Sequence, residues 1–240
     1  MKVDAARNQL WVIGILNYPK AHITNKNEPQ KAAVFQYNLE TKNLIHQYIL
    51  NDTAQHMFND LVLVGGNVFV TDTKQQAVYK IVPVKQTIEL WFQNENLFRP
   101  NGITVSQDQR YLFVAHWDGI TRISVSDTHH IQLQTKLNTT LSGIDGLYFY
   151  GNDLIAIQNN AGPQSRVMRF ELNKELNSVV RSTIVESGNP LFNVPTTGVI
   201  VGDEFYFIAN SQLRSFNADG TIFPEDKLQP TIILKLSLSN

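Results

Sequence analysis

Cysteine is absent from the 240 residues, which removes disulfides, thiolate catalysis and Cys-ligated zinc together. Its absence leaves the redox compartment open, since a thiol-free chain works in either. Net charge is nearly absent too. The 20 Lys and Arg stand against 21 Asp and Glu, for a net −1, so no overall field favours nucleic acid or an anionic membrane. No apolar run approaches the ~18 residues that span a bilayer. The first residues, Met1 to Arg7, lack the apolar core of a signal peptide. The expectation is a soluble chain with neither nucleic acid nor membrane as partner. Its localisation stays unknown, and a periplasmic or secreted site is compatible with a leader removed from a longer precursor. Also missing are Gly-x-Ser-x-Gly, a Walker-type phosphate loop and His-Glu-x-x-His.

What is present is an all-β pattern. Hydrophobic content of 42% with 17% charged residues fits one globular domain over residues 1–240. Apolar runs of about 5–7 residues alternate with Gly, Asn, Asp and Pro clusters. They group into five units of four strands. The first holds Lys2–Asp4, Leu10–Ile15, Ala32–Leu39 and Leu44–Leu50, with the polar stretch Asn17–Gln30 as a candidate rim or lid loop. The second holds Asp60–Val64, Asn67–Thr71, Ala77–Val82 and Thr87–Phe92. The third runs from Asn101 to Ser124 and takes Ile131–Lys136 as its last strand. The fourth holds Gly146–Tyr150, Leu154–Gln158, Arg166–Leu172 and Ser178–Val185. The fifth holds Gly198–Val201, Glu204–Ala209, Leu213–Asn217 and Ile232–Leu238. Arg166 to Arg181 also admits an amphipathic helix, but the repeat favours two strands around a turn at Asn173–Asn177.

The residues that open successive units, Asn59, Asn101, Asp145 and Thr197, recur at intervals of roughly 40–50 positions, which with four strands per unit predicts a β-propeller. Stacking twisted sheets around an axis buries faces that a lone sheet exposes. Glycine follows three of these residues, at Gly102, Gly146 and Gly198, as crowding at the axis requires. In a propeller these residues ring one end of the channel. Asn59 (with Asp60 beside it), Asn101 and Asp145 would then supply hard oxygen ligands, suited to calcium rather than zinc. The plainer reading is that Asn and Asp open strands because they tolerate turn geometry. His116 ends the second strand of unit three and is a candidate acid–base group, or else a loop histidine packed on Trp117. Asp72 and Asn210 end the matching strands of units two and five. His56 lies three residues before Asn59, within reach of the same rim. Arg99 is a candidate contact for an anionic ligand or a solvated rim charge.

Three stretches carry a resemblance: Phe58-Asn59-Asp60; Arg99-Pro100-Asn101-Gly102-Ile103 with its Ser-x-Asp turn and Tyr111–Ala115; and Ile144-Asp145-Gly146. The chain resembles the senescence-marker protein/gluconolactonase family, related to paraoxonases and strictosidine synthase-like proteins. The resemblance implies a six-bladed propeller with a divalent metal, often calcium, in its channel, and hydrolysis of lactones or esters. It implies metal binding by Asn101 and Asp145, with Asp145 also a base, and Asn59 near metal and substrate. The family's metal-binding glutamate, in a Glu-Gly-Pro-type motif near the start, has no counterpart here. Five units against six admits a lost first blade, closure as five, or a blade assembled from other pieces.

The leading expectation is therefore a calcium-dependent hydrolase of a small lactone or ester, with Asp145 and His116 as catalytic residues and Asn59, Asn101 and Asp145 holding the metal. A non-catalytic binding platform and an inactive relic are the rivals. A closed ring would be monomeric, whereas an open one would expose apolar blade faces and self-associate.

Overall fold

The computed structural model describes residues 1–16, 31–162, 164–217 and 221–239. The candidate loop Asn17–Gln30, with His22, lies outside them. No described helix is long and apolar enough to cross a membrane. The architecture is all-β: five small, mainly antiparallel sheets arranged as the blades of a β-propeller.

Blade 1 comprises β1 (Lys2–Asp4), β2 (Gln9–Leu16), β3 (Lys31–Asn38) and β4 (Leu44–Ile49). Blade 2 comprises β5 (Phe58–Val64), β6 (Asn67–Asp72), β7 (Ala77–Val82) and β8 (Thr87–Gln93). Blade 3 comprises β9 (Ile103–Val105), β10 (Tyr111–His116), β11 (Gly119–Ser124) and β12 (His130–Gln132). The chain then crosses through β13 (Gln134–Thr135) to blade 4, which comprises β14 (Ile144–Tyr150), β15 (Asp153–Gln158), β16 (Arg166–Leu172) and β17 (Ser178–Ser187). Blade 5 comprises β18 (Gly198–Val201), β19 (Glu204–Ile208) and β20 (Ile233–Ser237).

Two expected strands differ. Ile131–Lys136 is split: β12 pairs with β11 in blade 3, whereas β13 runs parallel to β17 and adds a fifth strand to blade 4. Leu213–Asn217 is not a strand of blade 5. There β20 pairs directly with β19, and Phe216 forms an isolated bridge to Ile222. The direct pairing buries Leu238 and sets Leu234 and Leu236 against blade 4, a better use of apolar side chains than Leu213, which stays exposed. Arg166 to Arg181 is a hairpin, as the repeat predicts. The Asn173 side-chain carbonyl accepts from the backbone N–H groups of Asn177 and Ser178, closing the turn.

The core is partitioned into four clusters, one at each successive junction. Trp11, Tyr48 and Leu61 weld blades 1 and 2; Phe69, Phe92 and Leu112 weld blades 2 and 3. Phe113, Leu147 and Phe170 join blades 3 and 4; Tyr148, Ile157, Phe205 and Phe207 join blades 4 and 5. Among the described residues no such cluster joins blade 5 to blade 1. The outward face of blade 5 leaves Val199, Val201 and Ile233 exposed, and blade 1 leaves Val3 and Ile45 exposed.

Crowding at the axis is explicit. A Cβ added to Gly102 would lie 2.4 Å from the Asp145 carbonyl oxygen of the next blade, whereas one at Gly198 would strike the Tyr206 carbonyl of the neighbouring strand in its own blade. At Gly146 it would meet the Thr196 carbonyl and the Tyr148 hydroxyl at 2.8 Å. Gly102→Ala is therefore expected to cost about 1–3 kcal/mol by forcing blades 3 and 4 apart. Gly151→Ala, at a turn with φ of +61° and open space around it, meets backbone strain but no clash. Urea denaturation of both variants checks this: the Gly102 variant should lose more stability, and equal losses would contradict axial crowding.

Candidate active site in the central channel

The innermost strands of blades 2 and 4 are irregular where they begin. The β5–β6 register shifts between Phe58 and Leu61, and the β14–β15 register shifts between Ile144 and Leu147. These β-bulges hold Asn59-Asp60 and Asp145-Gly146. A bulge re-aims the side chains it carries, and here the two carboxylates come within each other's electrostatic reach. Between them, Asn101 precedes β9. Its N–H donates to the Ala115 carbonyl at 2.8 Å, and its own carbonyl accepts from the Thr71 hydroxyl at 2.7 Å.

Asp145 is the centre of the constellation. Its Oδ2 accepts from the Asn159 amide at 2.8 Å, and Asn159 also donates to the Pro195 carbonyl at 2.9 Å. Asn160 in turn donates to Asn159 Oδ1, fixing that amide's orientation. Burial pushes the Asp145 carboxyl above its ordinary value, and the charge of Asp60 adds to this. Hydrogen bonds from Asn159 and Asn101 oppose it. Asp60 receives the backbone N–H of Leu61 at 2.8 Å and that of Ile103 at 3.3 Å. Tyr148 is buried below them. Its hydroxyl accepts from the Gly198 N–H and pairs with the Thr197 hydroxyl at 3.3 Å. Burial, then the charge of Asp60, raise this phenol far above its ordinary value, so it stays neutral.

The sequence-designated residues are distributed as follows. Asn101 and Asp145 meet in the channel. Asn59 turns its amide to the Thr73 hydroxyl at 3.1 Å, and Thr73 donates to the Pro100 carbonyl, so Asn59 braces the rim between blades 2 and 3. Thr197 sits on Tyr148. His116 is buried with both ring nitrogens engaged: Nδ1 accepts from the Asp118 N–H at 3.3 Å and Nε2 faces the Thr121 hydroxyl at 3.1 Å. Burial pushes its pKa below the ordinary value, against the pull of Asp118, which suits a neutral imidazole.

His116 belongs to a structural series. Asp72, Gln158 and Asn210 hold the matching positions of blades 2, 4 and 5, and all are buried. Gln158 donates to the carbonyls of Thr140 and Ser142, and Asn210 donates to that of Pro230. Each ties a crossover segment to its blade. Asp72 does so through the Met57 N–H and His56 Nδ1 at 2.6 Å, and it also caps its own hairpin turn by accepting from the N–H groups of Lys74 and Gln75. His56 Nε2 faces Asp52 at 2.9 Å. At the mouth, Arg99 lies over the Trp117 ring at 5.4 Å, with Phe98 and Trp117 exposed. An open cleft of about 420 Å³ lies at the opposite end of the ring, between the Ser106–Asp108 and Gly151–Asn152 turns. Its acid, Asp108, is taken up by Ser106 and Arg110.

Lys2, Tyr148 and Asn159 are not among the residues the sequence points to, whereas Asp60 is, through its place beside Asn59 on the ring. The signal for Asp60 is the doublet Asn59-Asp60 itself, since only a bulge lets a strand turn its second residue inward. Lys2 and Tyr148 carry no such signal.

Two outcomes follow from the electrostatics. Burial opposes the charge on His56, but hydrogen bonds from its ring to Asp72 and Asp52, and their charges, outweigh burial and raise its pKa. The stabilisation is complete below its ordinary 6.5 and is lost as pH rises through its own higher value. The stability gap between wild type and His56→Gln, measured by urea denaturation, should be full below pH 6.5 and narrow as pH rises through the folded imidazole's higher value. A constant gap would contradict a charged clamp. Asp145 works in the opposite sense. Its raised folded pKa makes ionisation a cost once pH exceeds the unfolded 3.8. Asp145→Asn should therefore raise the denaturation midpoint of the metal-free protein near neutral pH, with the gain vanishing below 3.8. A lowered midpoint at neutral pH would refute this.

No family model matches the chain, and no curated protein does. Solved structures do. One is a luciferin-regenerating enzyme, at 11% identity and a TM-score of 0.57, covering 90% of this chain and 76% of that one. Another is the PQQ-bound aldose sugar dehydrogenase of Streptomyces coelicolor, at 9% identity and 0.56, covering 97% and 76%. A third is hydrazine synthase of Kuenenia stuttgartiensis, at 13% identity and 0.54, covering 75% of this chain. The chain thus spans about half of the hydrazine synthase chain (51%) and three quarters of the other two. At such identities the likeness is one of fold, and the fold is that of a β-propeller.

Proposed function

We propose that the channel end bounded by Asp60, Asn101 and Asp145 is the active site of a metal-dependent hydrolase of small lactones or esters, similar to gluconolactonases. The observation that carries this reading is the pair of bulges that turn two carboxylates into one partly buried channel, with amide groups around them. Proteins do not leave such charges together without a use or a counter-ion.

The donor set suits a hard cation. Among the described residues no three His, Cys, Asp or Glu side chains gather to hold a metal, so amide oxygens must complete the shell. Two carboxylates and the Asn101 amide fit calcium, held weakly, and not zinc. Asp60, Asn101 and Asp145 would hold the ion, with Asn59 bracing the rim above. When bound, the ion supplies Lewis-acid polarisation of a carbonyl oxygen. The protein's own groups do the rest. Asp145, oriented by the Asn159 amide and facing the channel, is the acid–base group. It handles the proton in preference to His116, whose nitrogens are committed to Asp118 and Thr121. Trp117, Phe98 and Arg99 offer an aromatic and cationic lip for an oxygen-rich substrate.

Thermal unfolding in EDTA and then in calcium, with a panel of lactones and aryl esters, tests the reading. Calcium should raise the midpoint by several degrees. Asp145→Asn should lower kcat/KM by about a hundred- to ten-thousand-fold with the fold retained. An unshifted midpoint together with no turnover would move the protein to a binding platform.

A further inference from the structure

A lysine side chain reaches the channel. Lys2 opens β1, and its pairing with Trp11 places its side chain on the face turned toward blade 2. Its Nζ lies 4.0 Å from Asp60 Oδ1 and 5.3 Å above the Tyr148 ring. The side chain therefore bridges from blade 1 to an acid of blade 2 and an aromatic ring of blade 4. The pair is sheltered, with side-chain exposures of 26% for Lys2 and 14% for Asp60, so solvent screens it less than a surface pair. Among the described residues it is the one ion pair that either channel carboxylate makes. The ring of Tyr148 adds a cation–π contact.

We propose that Lys2 is a built-in competitor for the channel's metal: its ammonium neutralises Asp60 until a divalent ion displaces it. The proposal rests on the hydrolase reading, because it assumes that an ion draws on Asp60. An ion doing so needs the carboxylate that Lys2 faces, and two cations sharing it repel each other. The device suits the residue. Lysine carries a point charge on a flexible four-carbon stem and can swing clear without moving the backbone. The far end of β1 is held independently, because Asp4 accepts from the Arg7 N–H at 3.2 Å and pairs with its guanidinium at 3.0 Å. Metal loading is thereby coupled to release of Lys2 toward the channel mouth, and the metal-free channel is spared an uncompensated pair of acids.

Calcium titration by isothermal calorimetry on wild type, Lys2→Gln and Lys2→Arg, each checked for folding by circular dichroism, tests this. Lys2→Gln should bind calcium about tenfold more tightly than wild type, and Lys2→Arg, which keeps the charge, should stay near wild type. In wild type, acylation of Lys2 by an N-hydroxysuccinimide ester, read by mass spectrometry, should rise at saturating calcium. Equal affinity in wild type and Lys2→Gln would overturn the competitor role while leaving the metal site standing. Weaker binding in Lys2→Gln would overturn it too, by making Lys2 part of the ion's support. No binding by any of the three proteins would overturn both the metal site and the competitor.

Discussion

Strands that converge on an axis have almost no room for side chains, and everything at the centre of this protein follows from that. Glycine fills the closest approaches at 102, 146 and 198, where a single carbon would strike a neighbouring carbonyl or side chain. The two channel carboxylates enter where the strand bulges, at Asn59-Asp60 and Asp145-Gly146. Crowding and chemistry are therefore two aspects of one arrangement. The glycine that lets blades 3 and 4 touch at Gly102 also brings Asn101 onto the carboxyl of Asp145.

Two kinds of buried polar residue sit on this scaffold, and they differ in what they are bonded to. The series Asp72, His116, Gln158 and Asn210 is saturated by backbone groups and neighbouring side chains, which makes it structural. Asp145 differs, being held ionisable against both burial and the charge of Asp60. Groups that are costly in the folded state and face a channel are the ones to which chemistry is assigned.

Much of this was legible in the sequence. The repeat of strand-opening residues, each followed by glycine at 102, 146 and 198, predicted the propeller, and short apolar runs located most strands. The reading failed where pattern alone does not decide between partners. Ile131–Lys136 is a single apolar-alternating run, yet its halves pair with different blades. Leu213–Asn217 looks like a strand, but β20 takes the place beside β19 because its leucines bury better. Asn101 and Asp145 stand out in the sequence because each lies where an inner strand begins and is followed by glycine. Asp60 is legible only as the neighbour of Asn59 on the ring, and the bulge between Phe58 and Leu61 is what the sequence does not show. Lys2 is far in sequence from every group it meets, and no local pattern could connect it to Tyr148.

Five blades with four apolar welds are, energetically, a line bent into a circle. Each blade depends on its neighbours through a separate cluster, and no cluster among the described residues closes the loop between the last blade and the first. Cooperativity in such an array passes from neighbour to neighbour, as it does in a solenoid. Its terminal members open at lower free energy than its middle. Blade 5 is one such terminus, with three strands and one welded face among the described residues. It also supplies the Gly198 N–H that fixes the Tyr148 hydroxyl. Fraying of the outermost blade is thereby transmitted to the ring over which Lys2 is poised, so the floor of the channel is only as firm as the last blade of the array.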